Sequence, residues 1–329
     1  MLTGARSSSA GPNTTGAAAP NRNATAPIRM TVVTEATLRK LGRVPDDTAA
    51  RLGYGDAPMA HPDADAILAW YHAVRRDLPW RRTSDPYRIL VSEVMLQQTQ
   101  VARVVPYYEA WLERFPSERA LAEAPAADVL RTWSGLGYNR RALALQAACG
   151  VVARDGWPRT LEGLQALPGV GPYTAAAVAS FAFGVQAAAV DTNVRRVIER
   201  LDRRARRPPE LARRAEELMP AGRAGDWNQA LMELGATVCT ARAPACEACP
   251  AVACRSHGRP FVGPTARRAS GERMRFEETD RYVRGRVVAA LAAGEPVPDG
   301  FAPDRLERAL AGLERDGLVV REGGAVRLP

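Results

Sequence analysis

Leu167-Pro168-Gly169-Val170-Gly171-Pro172-Tyr173-Thr174 is the stretch that decides the fold. It closes one apolar helical pattern and opens another, Ala175 to Phe183, and so reads as a hairpin between two helices. Two glycines separated by one residue let the backbone turn tightly and leave consecutive N–H groups at a helix N-terminus, a seat for a phosphate oxygen. A Gly-x-Gly alone is common, and it gains weight from a second element further along the chain. In Ala189-Val190-Asp191-Thr192-Asn193-Val194-Arg195-Arg196 an apolar run stops at an acid and a helix restarts. Taken alone, Asp191 reads as the cap of the helix Val194 to Leu201.

Outward from the hairpin, apolar residues recur at helical spacing from His61 to about Arg255, for example Ile67, Leu68, Tyr71 and Val74. Gly and Pro punctuate them at Leu78-Pro79, Phe115-Pro116, Gly135-Leu136-Gly137 and Gly156-Trp157-Pro158. Alternating strands are absent, so residues 61–255 read as all-α. Residues 1 to about 30 are low in large apolar side chains, and 31–60 are ambiguous apart from a helical pattern near Glu35 to Leu41. The segment 1–60 is therefore expected to be a largely disordered tail. A basic linker, 256–275, leads to a small module at 276–329. Two helical patterns there, Asp280 to Leu291 and Pro303 to Arg315, precede a hairpin between Leu318 and Leu328 turning at Gly323-Gly324. That order predicts a winged-helix-like unit.

The 329 residues carry 45 Lys plus Arg against 36 Asp plus Glu, a net charge of +9, with a pI near 9.8. Such a balance suits a protein that meets polyanions, nucleic acid first. Lys40 is the single lysine, so 44 of the 45 basic residues are arginine and a lysine Schiff base is nearly excluded. No secretory signal is visible near the N-terminus, and the apolar run Ala175 to Val190 is too broken to span a bilayer. A cytoplasmic protein with no membrane partner is expected.

Cys239, Cys246, Cys249 and Cys254 lie within 16 residues in the spacing C-x6-C-x2-C-x4-C. Four thiolates on one short loop can wrap a single centre, and both tetrahedral zinc and a [4Fe-4S] cluster accept four cysteines. Zinc modules draw ligands as two close pairs, whereas here only the middle pair is close. Cys149 sits within a helical pattern and reads as a small buried apolar residue.

Together these features resemble the helix-hairpin-helix DNA glycosylases, and within them the MutY-type adenine glycosylases, over about residues 66 to 254. The resemblance rests on Leu78-Pro79-Trp80-Arg81, Ser92-Glu93-Val94-Met95-Leu96-Gln97-Gln98-Thr99-Gln100, Gly135-Leu136-Gly137-Tyr138, the hairpin, Val190-Asp191-Thr192-Asn193, Asn228-Gln229-Ala230-Leu231-Met232-Glu233-Leu234-Gly235 and the cysteines. It implies base-excision repair of adenine opposite 8-oxoguanine or guanine in double-stranded DNA, a [4Fe-4S] cluster rather than zinc, and a monomer associated with the nucleoid.

Breaking an N-glycosidic bond needs a better leaving base and a stabilised cationic sugar, the two-carboxylate logic of glycoside hydrolysis. By resemblance Glu93 protonates adenine at N7 and Asp191 stabilises or transiently bonds the sugar cation. Glu93 lies among Val94, Met95 and Leu96, where burial raises a carboxyl pKa, although read alone it is an exposed helix acid. Asp191 at a helix N-terminus is favoured as the anion. Tyr173 occupies the position where endonuclease III-type relatives carry a catalytic lysine, which implies excision without lysine-dependent strand cleavage. Tyr173 and Asn193 are then partners of the reacting sugar and Asp191. Gln98 and Tyr138 match positions that enter the duplex, Leu167, Gly169 and Gly171 match the DNA-binding hairpin, and Arg76 and Gln229 match positions near the adenine pocket.

Two departures stand out. The last cysteine gap has four residues where the family usually has five. Typical members also carry a Nudix-like C-terminal domain, whereas only 75 residues follow Cys254 and they do not read as one. Arg281, Arg284 and Arg286 flank Tyr282 and Val283, either as a DNA-facing stripe or as a solvated helix face. Two other functions compete: a thymine glycosylase acting on G·T mismatches, which can also carry tyrosine in place of lysine, and a non-catalytic iron–sulfur DNA-binding protein.

Overall fold

Capping residues set many of the helix starts. Asp85 accepts from the N–H groups of Tyr87 and Arg88 with Pro86 at the first helical position, Thr160 accepts from Gly163, and Asp191 accepts from Val194. The structure, a computed structural model, describes residues 61–259, 261 and 275–329. The expected N-terminal tail, the Glu35 to Leu41 pattern and most of the linker lie outside the described residues.

The helices run α1 (Ala64–Val74), α2 (Pro86–Leu96), α3 (Val101–Arg114), α4 (Glu118–Ala122), α5 (Ala126–Trp133), α6 (Arg140–Asp155), α7 (Leu161–Gln165), α8 (Pro172–Phe183), α9 (Thr192–Leu201), α10 (Pro208–Glu217) and α11 (Ala224–Thr237). No strand occurs among the described residues of this part, in agreement with the all-α reading. Two apolar cores form. One gathers α2 to α8 around Trp111, whose ring meets Phe115 at 4.9 Å and Trp133 at 5.5 Å edge to face. The other gathers α1, α9, α10 and α11 around Leu68, Ile198 and Trp227. Each wholly buried Leu or Ile contributes roughly 2 kcal/mol. The chain starts in the second core with α1, builds the first with α2 to α8, and returns with α9 to α11. A cleft is left between them.

Cys149 is fully buried in the first core, as the sequence predicts, and burial pushes its thiol up to about 12. Buried Asn228 pins the crossover before α9: its amide donates to Ser180 Oγ and the Ala187 carbonyl, and its oxygen accepts from the Ala189 N–H. The crossover therefore delivers Asp191 at a fixed place.

Beyond the linker, α12 (Asp280–Ala292) and α13 (Pro303–Arg315) precede strands β1 (Val320–Glu322) and β2 (Ala325–Arg327), paired antiparallel with Val320 opposite Arg327. The observed helix–helix–hairpin order matches the sequence reading. Its apolar side chains Val283, Val287, Leu310 and Leu313 pack with Leu130 of α5, with Ala127 and Leu143 alongside. The module thus shares its core with the helical part.

Candidate active site

The hairpin is built as its glycines require. Gly169 has φ +72°, and a Cβ there would lie 2.7 Å from the Ala144 Cβ. Gly171 is the N-cap of α8 and makes no side-chain cap bond, with Pro172 at the first helical position. Leu167, the first residue of the hairpin, buries its side chain in the first core, because the residue before the turn is the last apolar position of the preceding pattern. Only its backbone belongs to the hairpin, where its carbonyl accepts from Val170.

A cleft of about 830 Å³ between the two cores brings together Glu93, Tyr173, Asp191, Asn193, Arg76, Gln229 and Gln98, contributed by α1, α2, α8, α9 and α11 and their loops. These residues span more than 150 positions of sequence and meet only through the fold. Glu93, on α2, is 6% exposed, and its Oε2 is buried without a hydrogen-bond partner. Burial pushes its carboxyl up to about 7; the Tyr173 hydroxyl works against that rise and the Asp191 charge adds to it. Glu93 is therefore able to hold a proton near neutrality. Burial, with the charges of Glu93 and Asp191, holds the Tyr173 phenol well above the usual tyrosine range, so it stays neutral.

Asp191 is both the helix cap and a cleft residue. Its Oδ1 accepts from the Val194 N–H at 2.6 Å and its Oδ2 from Asn193 Nδ2 at 3.0 Å. Asn193 is held in turn by Arg196, which donates to Asn193 Oδ1 at 2.8 Å, to the Gly235 carbonyl at 2.6 Å and to the Cys239 carbonyl at 2.8 Å. Gly235 makes this closeness possible: a Cβ there would fall 2.7 Å from the Asn193 Cβ, so α9 and α11 could not approach as they do. Charge-assisted bonds of this kind fix orientation as well as adding stability.

On α11, Glu233 is 1% exposed and receives Arg76 at 2.7 and 2.9 Å and Arg81 at 2.7 Å. Burial would raise its carboxyl, but the bonds from Arg76 and the charge and bond of Arg81 outweigh it and hold the group below the usual carboxylate range. Gln229 accepts from the Tyr71 hydroxyl at 2.5 Å. The wall of the cleft near Arg76 and Gln229 is thus already paired and rigid. Sequence reasoning missed Arg81 as a cleft residue, and Glu233 and Tyr71 as the partners that hold Arg76, Arg81 and Gln229. Arg81 and Glu233 stand inside the family motifs, but 152 positions separate them and only packing reveals their pairing.

Gln98 and Tyr138 are exposed, at loop tips, and both hold left-handed backbone conformations, φ +57° and +51°. For residues other than glycine such angles are unfavourable and gather at functional positions. Tyr138 does not line the cleft, yet Arg141 ties its loop to that of Gln98. One guanidinium nitrogen donates to the carbonyls of Val94 and Gln97 at 2.7 and 2.6 Å, the other to Gly137 at 3.1 Å, while the group lies over the Trp133 ring. Arg141, three residues after Tyr138, was also missed, since an arginine in a helix usually signals solvent.

The four clustered cysteines follow α11. Cys239, Cys249 and Cys254 pack against the second core, and all four are free thiols. Arg200 donates to Cys239 Sγ at 3.3 Å and to the Thr240 carbonyl at 2.7 Å. Burial pushes the Cys249 thiol up to about 11, and Cys239, Cys254 and Cys246 add to the rise. Among the described residues no group of three metal-ligating side chains converges at metal spacing. The donor set, four unpaired thiols within 16 residues of sequence, is still chemically that of a tetrathiolate centre. Among the described residues, no helix is long and apolar enough to cross a membrane.

Residues 91–221 match the model of the HhH-GPD superfamily of base excision DNA repair proteins. The chain is 45% identical over 270 residues to an adenine DNA glycosylase of Mycolicibacterium smegmatis, covering 77% of this chain and 91% of the relative. Among solved structures, a thermostable thymine-DNA glycosylase matches with a TM-score of 0.56 and 34% identity, over 59% of this chain and 94% of that one. A trapped endonuclease III–DNA covalent intermediate in an estranged-adenine complex matches with a TM-score of 0.52 and 26% identity, over 59% and 93%. On the strength of that identity across most of both chains, the protein belongs to the MutY-type adenine DNA glycosylases of the helix-hairpin-helix superfamily.

Proposed function

We propose that this chain hydrolyses the N-glycosidic bond of adenine mispaired with 8-oxoguanine or guanine in double-stranded DNA and leaves an abasic site. The observation that carries this reading is Glu93, a buried carboxyl able to hold a proton, its Oε2 unpartnered, in the same cleft as the doubly hydrogen-bonded carboxylate of Asp191. An adenine in duplex DNA is out of reach of such a cleft, so the base is flipped out of the stack. Glu93 then donates its proton to N7, and the departing base takes the bonding electrons. The Asp191 carboxylate, oriented by Val194 and Asn193, faces the positive charge that develops on the sugar. Water then bonds through its oxygen to the sugar C1′ and passes a proton to the Glu93 carboxylate, which restores the acid. Tyr173 supports the Glu93 side as a neutral phenol. Lys40, the single lysine of the chain, lies outside the described residues, and among the described residues no lysine lines the cleft and Tyr173 stands there, which supports excision without Schiff-base strand cleavage.

Gln98 and Tyr138 fill the gap left by the flipped base, Gly169 and Gly171 offer backbone N–H groups to a phosphate, and Arg76 and Gln229 border the adenine. Cys239, Cys246, Cys249 and Cys254 would hold a [4Fe-4S] cluster, whose contribution when bound is to fasten the loop that follows α11. The chain divides at 61–255, 256–275 and 276–329, the last a winged-helix-like module, and acts as a cytoplasmic monomer.

The likeness to a thymine-DNA glycosylase favours a second reading, excision of thymine from G·T pairs. Single-turnover reactions on duplexes with A opposite 8-oxoguanine, A·G, T·G and A·T, followed by alkali, test both. Cleavage confined to the first two supports the proposal, and cleavage of T·G alone transfers it to thymine. Binding without any cleavage supports a non-catalytic DNA-binding protein.

A further inference from the structure

We infer that Arg281, in the C-terminal module, is a positioning residue for Tyr138 and brings a cationic contact for a DNA backbone phosphate to that loop tip. The inference rests on the DNA-glycosylase reading and adds a part of the interface outside the helical core.

Tyr138 is 44% exposed and stands in a left-handed conformation at the end of its loop. Arg281, in the first turn of α12, lies over the tyrosine ring at 5.1 Å and donates to its hydroxyl at 3.1 Å. Arg141 approaches the same ring at 5.5 Å, so two guanidiniums from separate parts of the chain hold one exposed aromatic side chain.

Among the described residues Arg281 and Arg286 of α12 lack an ion pair, and of the two it is Arg281 that contacts Tyr138. Arg284 and Arg140 both pair with Asp316, and Arg305 and Arg308 pair with Asp280. Arg281 has no carboxylate partner among the described residues, and its polar contact is a phenol. Its charge is therefore uncompensated at the place where a polyanion is expected, and guanidinium geometry suits phosphate. The seat is firm, because the module packs on α5 and is joined to α6 through Arg140 and Asp316 at 3.5 Å.

The test uses the full chain. Affinity for an A·8-oxoguanine duplex and for a fully paired duplex is measured across a salt series, with single-turnover excision at saturating enzyme, for wild type, Arg281→Ala, Arg281→Lys, Tyr138→Ala and the double variant Arg281→Ala/Tyr138→Ala. Arg327→Ala, a surface arginine on β2, controls for loss of one positive charge. Arg281→Ala is expected to weaken both duplexes alike by about fivefold and to lower the slope of log affinity against log salt by about one. Arg281→Lys should keep the slope. Arg281→Ala should also slow excision, but not in the Tyr138→Ala background, since the positioning role acts through that ring. A wild-type slope and rate in Arg281→Ala, or equal effects from Arg327→Ala, overturns the inference while leaving the adenine reading intact. Absence of adenine excision by the wild type defeats the adenine reading instead, and the salt slopes still decide the phosphate contact.

Discussion

Asn193 donates its side-chain amide to Asp191 Oδ2 at 3.0 Å, two residues away on the first turn of the same helix. With the Val194 N–H on Oδ1, both oxygens of the carboxylate are oriented by its own chain. The group that caps the helix is thereby also the group aimed at the cleft, and the two roles can be separated by substitution.

Asp191→Asn should abolish excision while mismatch binding survives. Asparagine caps helices about as well as aspartate, so the helix start should hold and the melting temperature should change little. Single-turnover kinetics beside equilibrium binding and thermal melts check this. Loss of binding to the same degree as activity would make Asp191 structural.

Activity should fall as pH rises through about 7, where Glu93 loses its proton, by about tenfold per unit once the acid is fully ionised. Stability should follow the same group. The folded carboxyl is raised from 4.5 to about 7, so the native state keeps a proton that the unfolded chain releases. Wild-type stability therefore declines between those pH values, by on the order of 2–3 kcal/mol. Glu93→Gln should be inactive and should lack this decline. Denaturant titrations of both proteins at pH 5 and pH 8 measure it, and parallel losses in the two would refute the assignment.

Gly235→Ala should cost about 1–3 kcal/mol of stability, since its Cβ meets the Asn193 Cβ and the contact can be relieved only by spreading α9 from α11. Asn193 carries the displacement to Asp191, so excision should fall more than DNA binding does. Thermal melts with single-turnover rates test both halves.

Arg141→Ala should free the loops of Gln98 and Tyr138, which it ties through the carbonyls of Gln97 and Gly137. Hydrogen exchange should accelerate at residues 97–99 and 135–138, with a loss of about 1.5–3 kcal/mol, the range for hydrogen bonds to a charged group. Unchanged exchange in both loops would show that they are held by other means.

The purified protein should be yellow-brown with a broad visible absorption band, and should lose both on substitution of Cys239, Cys246, Cys249 or Cys254. A colourless protein with stoichiometric zinc would replace the iron–sulfur assignment.

Much of the architecture is written in local pattern. Helical periodicity and turn residues gave the all-α reading, Gly169-Val170-Gly171 announced the hairpin, and Asp191 announced the start of α9, because each depends on backbone preferences of a few consecutive residues. The direction of a side chain is less legible: Leu167 belongs to the hairpin in sequence, and the structure turns its side chain into the core. Only tertiary structure could bring Glu93 of α2 to Asp191 of α9, pair Arg76 and Arg81 with Glu233, or set Arg281 on Tyr138, 143 positions away. Burial, desolvation and long-range pairing are properties of the packed chain, and they alone raise the pKa of a helix acid and set a helix cap in the same cleft.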